Sequence, residues 1–126
     1  MVLGIGIDLV EVARMRQALA RFGERFLERC FTPGERADCL SRRDPAPSLA
    51  ARWAAKEATA KALGTGLGGE VGWRDVEVVR TATGQPELRL TGAAAARLAA
   101  RSGRVRFYLS LTHEKGMAAA AVIADG

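Results

Sequence analysis

Asp8, Glu57 and Lys61 are the residues whose types and settings suggest chemistry. Asp8 closes the apolar run Val2-Leu3-Gly4-Ile5-Gly6-Ile7. Glu57 lies in the alanine-rich run from Arg52 to Leu63, which Gly64-Thr65-Gly66 follows. On a helix, Glu57 and Lys61 stand about 40° apart, on the side that also carries Leu49, Trp53, Ala54 and Ala60. An unpaired carboxylate in such a setting costs several kcal/mol, so each acid calls for a cation. Two readings follow. Asp8 and Glu57 converge on one hard cation such as magnesium, which takes one or two carboxylates together with phosphate oxygens. Alternatively Asp8 caps a strand end and Glu57 pairs with Lys61 one turn on. Lys61 is either that partner or a point charge for a phosphate in a transition state.

Two further sets carry chemistry with less definition. Ser110, Thr112 and His113 end a strand, where hydroxyls and an imidazole suit a phosphate or are plain strand-end residues. His113 is the only histidine and has no nucleophile-and-acid pattern around it. Arg14, Arg21 and Arg25 fall within about 20° of one line if a helix runs through Gly23. That stripe is a solvated face or a dock for an acidic protein.

These residues need elements to hold them. Residues 2–9 read as a buried strand whose glycines allow close approach of another backbone or a ligand. Residues 11–29 read as an amphipathic helix with Met15, Leu19, Phe22 and Phe26 on its core face. Thr32-Pro33-Gly34-Glu35 has the form of a capping box opening a short helix to Leu40. After a loop, Ser48 is the expected cap of a helix ending at Gly64. Residues 64–72 hold five glycines and read as a loop, a cradle for a ligand or a connector. Asp75–Arg80 and Glu87–Leu90 read as strands about a Thr83-Gly84-Gln85-Pro86 turn, and Thr91 opens a helix to about Arg101. Residues 105–112 alternate as a half-buried strand, and Glu114-Lys115-Gly116 turns into the alanine-rich strand Met117–Ala124. The small side chains of that last strand admit a close neighbour, a helix or another subunit. The expected class is α+β, with helices packed on a mostly antiparallel sheet in a single domain, 1–126.

Composition narrows the setting. With 126 residues, 48% hydrophobic and 26% charged, the chain has the balance of a globular domain. It has no apolar run long enough for a bilayer and no signal-peptide pattern at its start, which predicts a cytoplasmic protein without membrane attachment. Cys30 and Cys39 form no CxxC, and reduced structural thiols are expected. A net charge of +5, almost all of it arginine, points to an anionic partner.

Several blocks together resemble the holo-acyl-carrier-protein synthases. Gly4-Ile5-Gly6-Ile7-Asp8 with Arg14 resembles that family's G-x-D opening and following arginine. Trp53-Ala54-Ala55-Lys56-Glu57-Ala58-Thr59-Ala60-Lys61-Ala62 resembles its W/F-x-x-K-E-A-x-x-K-A helix. Gly64-Thr65-Gly66, Gly84-Gln85-Pro86 and Ser110-Leu111-Thr112-His113 match its glycine loop, G-x-P turn and strand end, in family order. Thr59 stands where many members carry a larger residue, a matter of packing. The resemblance implies a 4′-phosphopantetheinyl transferase-like fold. It also implies transfer of the phosphopantetheine arm of coenzyme A to a serine of an apo acyl carrier protein, with release of adenosine 3′,5′-bisphosphate. It implies a homotrimer with coenzyme A between subunits. On these residues, Asp8 and Glu57 would bind magnesium, and Lys61 would lie against the phosphates. Arg52, Gly64, Thr65, Gly66, Pro86, Ser110, Thr112 and His113 would hold coenzyme A, and Arg14, Arg21 and Arg25 the acidic carrier. A small basic nucleic-acid-binding module would explain the charge but not the two acids in apolar stripes. The chain shows no zinc pattern, RNP-like strand or lysine-rich arm, so no nucleic acid is expected. A catalytically silent homologue would have no need of Asp8, Glu57 and Lys61.

Overall fold

The computed structural model describes residues 1–65, 67 and 71–126, with the backbone alone for 101 and 102. Strand β1 (Val2–Glu11) leads into α1 (Val12–Phe22), α2 (Glu24–Cys30), α3 (Pro33–Leu40) and the long α4 (Ala46–Leu63). A 3-10 turn, Trp73–Asp75, precedes β2 (Val76–Arg80) and β3 (Pro86–Leu90). Helix α5 (Gly92–Ser102), β4 (Arg106–Glu114) and β5 (Met117–Asp125) complete the chain. The strands form an antiparallel three-stranded sheet, β1-β5-β4, and an antiparallel β2-β3 pair. The expected α+β class holds, with the sheet in two pieces.

Helix α4 lies across the three-stranded sheet, and glycine is what lets it lie so close. A β carbon on Gly4 would overlap the carbonyl oxygen of Ala62, and one on Gly6 that of Ala58. These are helix backbone atoms, which no side-chain rotation moves aside. Ala118, Ala120, Val122 and Ala124 of β5 are buried on the same face of the sheet. The core formed with Leu49, Ala50, Ala54 and Ala58 is therefore built largely of methyl groups. Gly64 ends α4 in the left-handed conformation at φ 73°, and Thr65 N–H donates to Ala60 O at 2.9 Å.

The other face of the sheet is apolar but uncovered. Ile5, Ile7 and Leu9 of β1 are 71%, 69% and 64% exposed, and Leu3, Tyr108 and Ile123 are also exposed. The expected buried strand is thus buried on one face only, because alternation sends its odd residues away from α4.

Three local expectations need correction. Residues 11–29 are two helices, because Gly23 takes φ 55° and turns the chain. Phe22 is consequently exposed rather than in the core. Ser48 does not cap α4, which starts at Ala46; its hydroxyl accepts from Arg52 and meets the Cys39 thiol. The Thr32/Glu35 capping box forms as expected.

Candidate active site

Asp8 is the next residue after Gly6 on the α4 side of β1, so the glycine contact that seats the helix also delivers this acid to it. Lys61 reaches back from the last turn of α4. Its ammonium donates to Ile7 O at 2.9 Å and to Asp8 Oδ1 at 3.3 Å. Lys61 therefore pairs with Asp8 rather than with Glu57 one turn away. Asp8 Oδ2 is buried without a hydrogen-bond partner. Burial first, and then the charge of Asp8, push the Glu57 carboxyl above its ordinary value, against the pull of Lys61. Two acids and one ammonium form a corner that is one cation short.

That shortage is the test of fit for a metal. Among the described residues no group of three His, Cys, Asp or Glu side chains converges. The corner offers two carboxylate donors, one with an orphaned oxygen. This donor set suits magnesium, which keeps waters and phosphate oxygens for its remaining positions, and does not suit zinc.

On the opposite flank of α4 lies a network that local sequence patterns did not reveal. Lys56 is fully buried. Its ammonium donates to Glu35 Oε1 at 2.7 Å, to Trp73 O at 2.9 Å and to Val76 O. Glu35 also accepts from Thr32 N–H and Val78 N–H. Burial pushes the Lys56 ammonium down, and Glu35 pulls it back up. This hub ties the start of α3, the middle of α4 and the start of β2 together.

Beside it runs a groove of about 560 Å³ lined by Arg21, Phe22, Arg25, Phe26, Arg29, Cys30, Trp53 and Trp73. Trp53 stacks on Trp73 with centroids 3.9 Å apart, and Phe26 lies 5.6 Å from Trp53. The groove thus has an aromatic floor and an arginine rim. Two of the three predicted docking arginines, Arg21 and Arg25, reach it, from separate helices. Arg14 is exposed on α1 and does not line it. Arg29, one turn after Arg25, joins the rim, and that spacing was the signal for it. Nothing local in the sequence pointed to Trp73.

The predicted nucleotide residues scatter. Arg52 is 2% exposed, with its guanidinium bound to Ser48 Oγ and Asp38. It lines a cleft of about 330 Å³ with Arg80, Arg89, Asp38 and Glu77 among others. Pro86 begins β3 opposite Arg80. Gly64 ends α4, and the hydroxyl oxygen of Thr65 is buried without a hydrogen-bond partner. Gly66 lies outside the described residues. Ser110 and Thr112 are exposed on the outer face of the sheet, beyond Ala121 and Ala119 from Ile7 and Leu9, and so face away from the acid corner. His113 sits exposed near the end of β4. Thr59 is buried, its hydroxyl spent on Ala55 O at 2.7 Å, a packing role as expected. Both cysteines are free and buried, and burial pushes their thiols up. Among the described residues no helix is long and apolar enough to cross a membrane.

An α+β unit that sets two carboxylates and a lysine where a helix meets a strand has the donor set of enzymes acting on phosphate esters. Comparison with known proteins gives the class its particular form. The family model of the 4′-phosphopantetheinyl transferase superfamily matches residues 4–120. A holo-[acyl-carrier-protein] synthase of Methylobacterium sp. (strain 4-46) is 55% identical over 99% of this chain and 95% of its own. The crystal structure of holo-[acyl-carrier-protein] synthase from Neisseria meningitidis superposes with TM-score 0.90 at 36% identity, over 100% of both chains. That of Helicobacter pylori, in complex with coenzyme A, gives TM-score 0.84 at 30% identity, over 96% of this chain and 99% of that one. The chain belongs to the 4′-phosphopantetheinyl transferase superfamily and, within it, to the holo-[acyl-carrier-protein] synthases.

Proposed function

We propose that this enzyme transfers the 4′-phosphopantetheine arm of coenzyme A to a serine of an apo acyl carrier protein and releases adenosine 3′,5′-bisphosphate. The observation that carries this reading is the Asp8–Glu57–Lys61 corner with its unpartnered Asp8 oxygen. The names of the relatives and the coenzyme A complex of the H. pylori enzyme support the substrates. Asp8 Oδ2 and Glu57 are the residues that would hold magnesium, which when bound supplies positive charge to the pyrophosphate. Lys61 brings its ammonium to the same phosphates from the adjoining turn. Glu57, or a water held by the metal, would take the proton of the carrier serine. The serine oxygen bonds to the β-phosphorus, and the bridging oxygen leaves with the bisphosphate.

The carrier is assigned to the arginine-rimmed groove. Its acidic surface would meet Arg21, Arg25 and Arg29, with Arg14 contributing at longer range. Trp53 in the floor lies one helical turn before Glu57, so their β carbons are about 6 Å apart. A serine presented from this groove therefore arrives at the acid corner.

The exposed Ile5, Ile7 and Leu9 face is assigned to further copies of the chain, in a homotrimer. Burying such side chains contributes roughly 1.5–3 kcal/mol each. Ser110 and Thr112, which face away from the acids of their own chain, would then serve a neighbour's site together with His113. Arg52, Pro86 and the 64–66 segment are assigned to the nucleotide end of coenzyme A; in the Arg52 cleft three arginines outnumber Asp38 and Glu77, with Arg52 itself paired to Asp38.

Intact-mass spectrometry of an apo acyl carrier protein incubated with the enzyme, coenzyme A and magnesium tests this reading. The expected result is a gain of one phosphopantetheine arm, absent when the metal is chelated. No gain with fatty-acid, polyketide or peptide carriers, from enzyme shown to be folded, would overturn it.

A further inference from the structure

Lys56 has no place in the transfer chemistry, yet one of its three polar contacts is to the backbone of Trp73, which lines the groove. The Lys56 ammonium holds Trp73 O at 2.9 Å and Val76 O, carbonyls of the first residue of the short 3-10 turn and of the residue that follows it. That ring covers Trp53 at 3.9 Å. The ammonium also lies 5.7 Å from the Phe31 ring centroid, and Phe31 meets Phe26 edge-on at 6.0 Å. Phe26 in turn stacks on Trp53. One buried amine thus sits under three of the floor's supports: the backbone of Trp73, the ring of Phe31 and, through Phe31, the ring of Phe26. Glu35 fixes the amine from below and is itself fixed by Thr32 N–H and Val78 N–H.

We infer that Lys56 is a positioning residue for carrier recognition, holding the Trp73–Trp53–Phe26 floor of the arginine-rimmed groove in the shape that accepts an apolar side chain of the carrier. The inference rests on the assignment of that groove to the carrier. It separates two adjacent residues of one helix: Glu57 serves the reacting groups, and Lys56 serves the partner that brings the serine. The acid corner reaches α4 from β1, and the hub reaches it from α3 and β2, so a change at the hub moves the floor before it moves Asp8.

The test is steady-state transfer kinetics with carrier and coenzyme A varied separately, together with circular dichroism of the coupled indoles. Three variants are compared: Trp73→Ala, Glu35→Gln/Lys56→Met and Arg25→Glu. The double variant removes both buried charges together, so neither charge is stranded, while Trp73 O and Val76 O lose their donor. It should raise the carrier KM roughly tenfold and the coenzyme A KM less than twofold, a split that isolates partner binding. The exciton signal of the stacked indoles should weaken with it. Trp73→Ala, which leaves the buried pair intact, should raise the carrier KM by a similar factor and keeps the inference open to refutation should the double variant fail to fold. An unchanged carrier KM in Trp73→Ala, or in a folded double variant, would overturn the inference. So would an equal rise for both substrates. Arg25→Glu separates the two readings: if it too leaves the carrier KM unchanged, the groove assignment itself fails.

Discussion

Helix α4 carries two lysines five residues apart, and the two flanks they serve are built on opposite terms. Lys56 is fully buried, and its hydrogen bonds go to one carboxylate and two carbonyls. Lys61 is 54% exposed, shares a single carboxylate and leaves the other oxygen of that carboxylate without a partner. The first flank is closed: adding or removing a charge there leaves something buried and unmatched. The second is left short of a cation, with a glutamate that holds its proton unusually well beside it. Polar groups satisfied within the chain hold it together, and polar groups left unsatisfied are available to a substrate.

Four measurements would break or sharpen this contrast. The largest effect is expected on the open flank: Glu57→Gln should lower the transfer rate roughly a thousandfold, the scale of losing several kcal/mol of transition-state stabilisation. Near-normal turnover by intact-mass assay would remove Glu57 from the chemistry. Next, Lys56→Met should cost about 3–5 kcal/mol in urea unfolding, since Glu35 is left charged and buried. Lys61→Met should cost no more than about 1 kcal/mol while still slowing transfer, because its pair with Asp8 is partly solvated. Equal losses of stability would erase the distinction between the flanks. Third, Arg21→Glu should raise the carrier KM about tenfold, with a shallower salt dependence than the parent. An unchanged KM would make the rim a solvated face.

The smallest effect concerns pH. Glu57 is held above the ordinary glutamate value in the folded chain. Between those two values the folded state binds more protons than the unfolded one, so stability falls as pH rises through that window. Glu57→Gln removes the penalty. Without magnesium, its Tm should exceed the parent's at neutral pH, and the gap should close below the ordinary glutamate range. A Tm below the parent's at neutral pH would contradict the shortage of cations at this corner.

Much of the site was legible because its signals are local. The G-x-G-x-Asp strand and the Glu57/Lys61 helix each declare themselves within a dozen residues, and Thr32 with Glu35 spells out a capping box. What stayed hidden was long-range. Glu35 carries a second role toward Lys56, 21 residues away, and toward Val78, 43 residues away, and no periodicity reports such a contact. The arginine stripe was read along one helical line, and a single backbone angle at Gly23 divided it. Apart from Asp8 the strand at 2–9 is apolar on both faces, so its sequence could not say that α4 covers only one of them. Arg52 carried positive charge toward a nucleotide in the sequence reading, while its fold-level partner, Asp38, lay 14 residues upstream in another helix.

The length of those contacts bears on the order in which the chain assembles. An ammonium that left water before Glu35, Trp73 and Val76 had converged would be stranded, so the hub closes after α3, α4 and β2 have come together. Contacts formed that late would be absent from the folding transition state and present in full when the native chain begins to open. Weakening them should leave the speed of folding nearly unchanged and quicken unfolding. The interior lysine would then bear on time as well as on shape, through how long each folded molecule lasts.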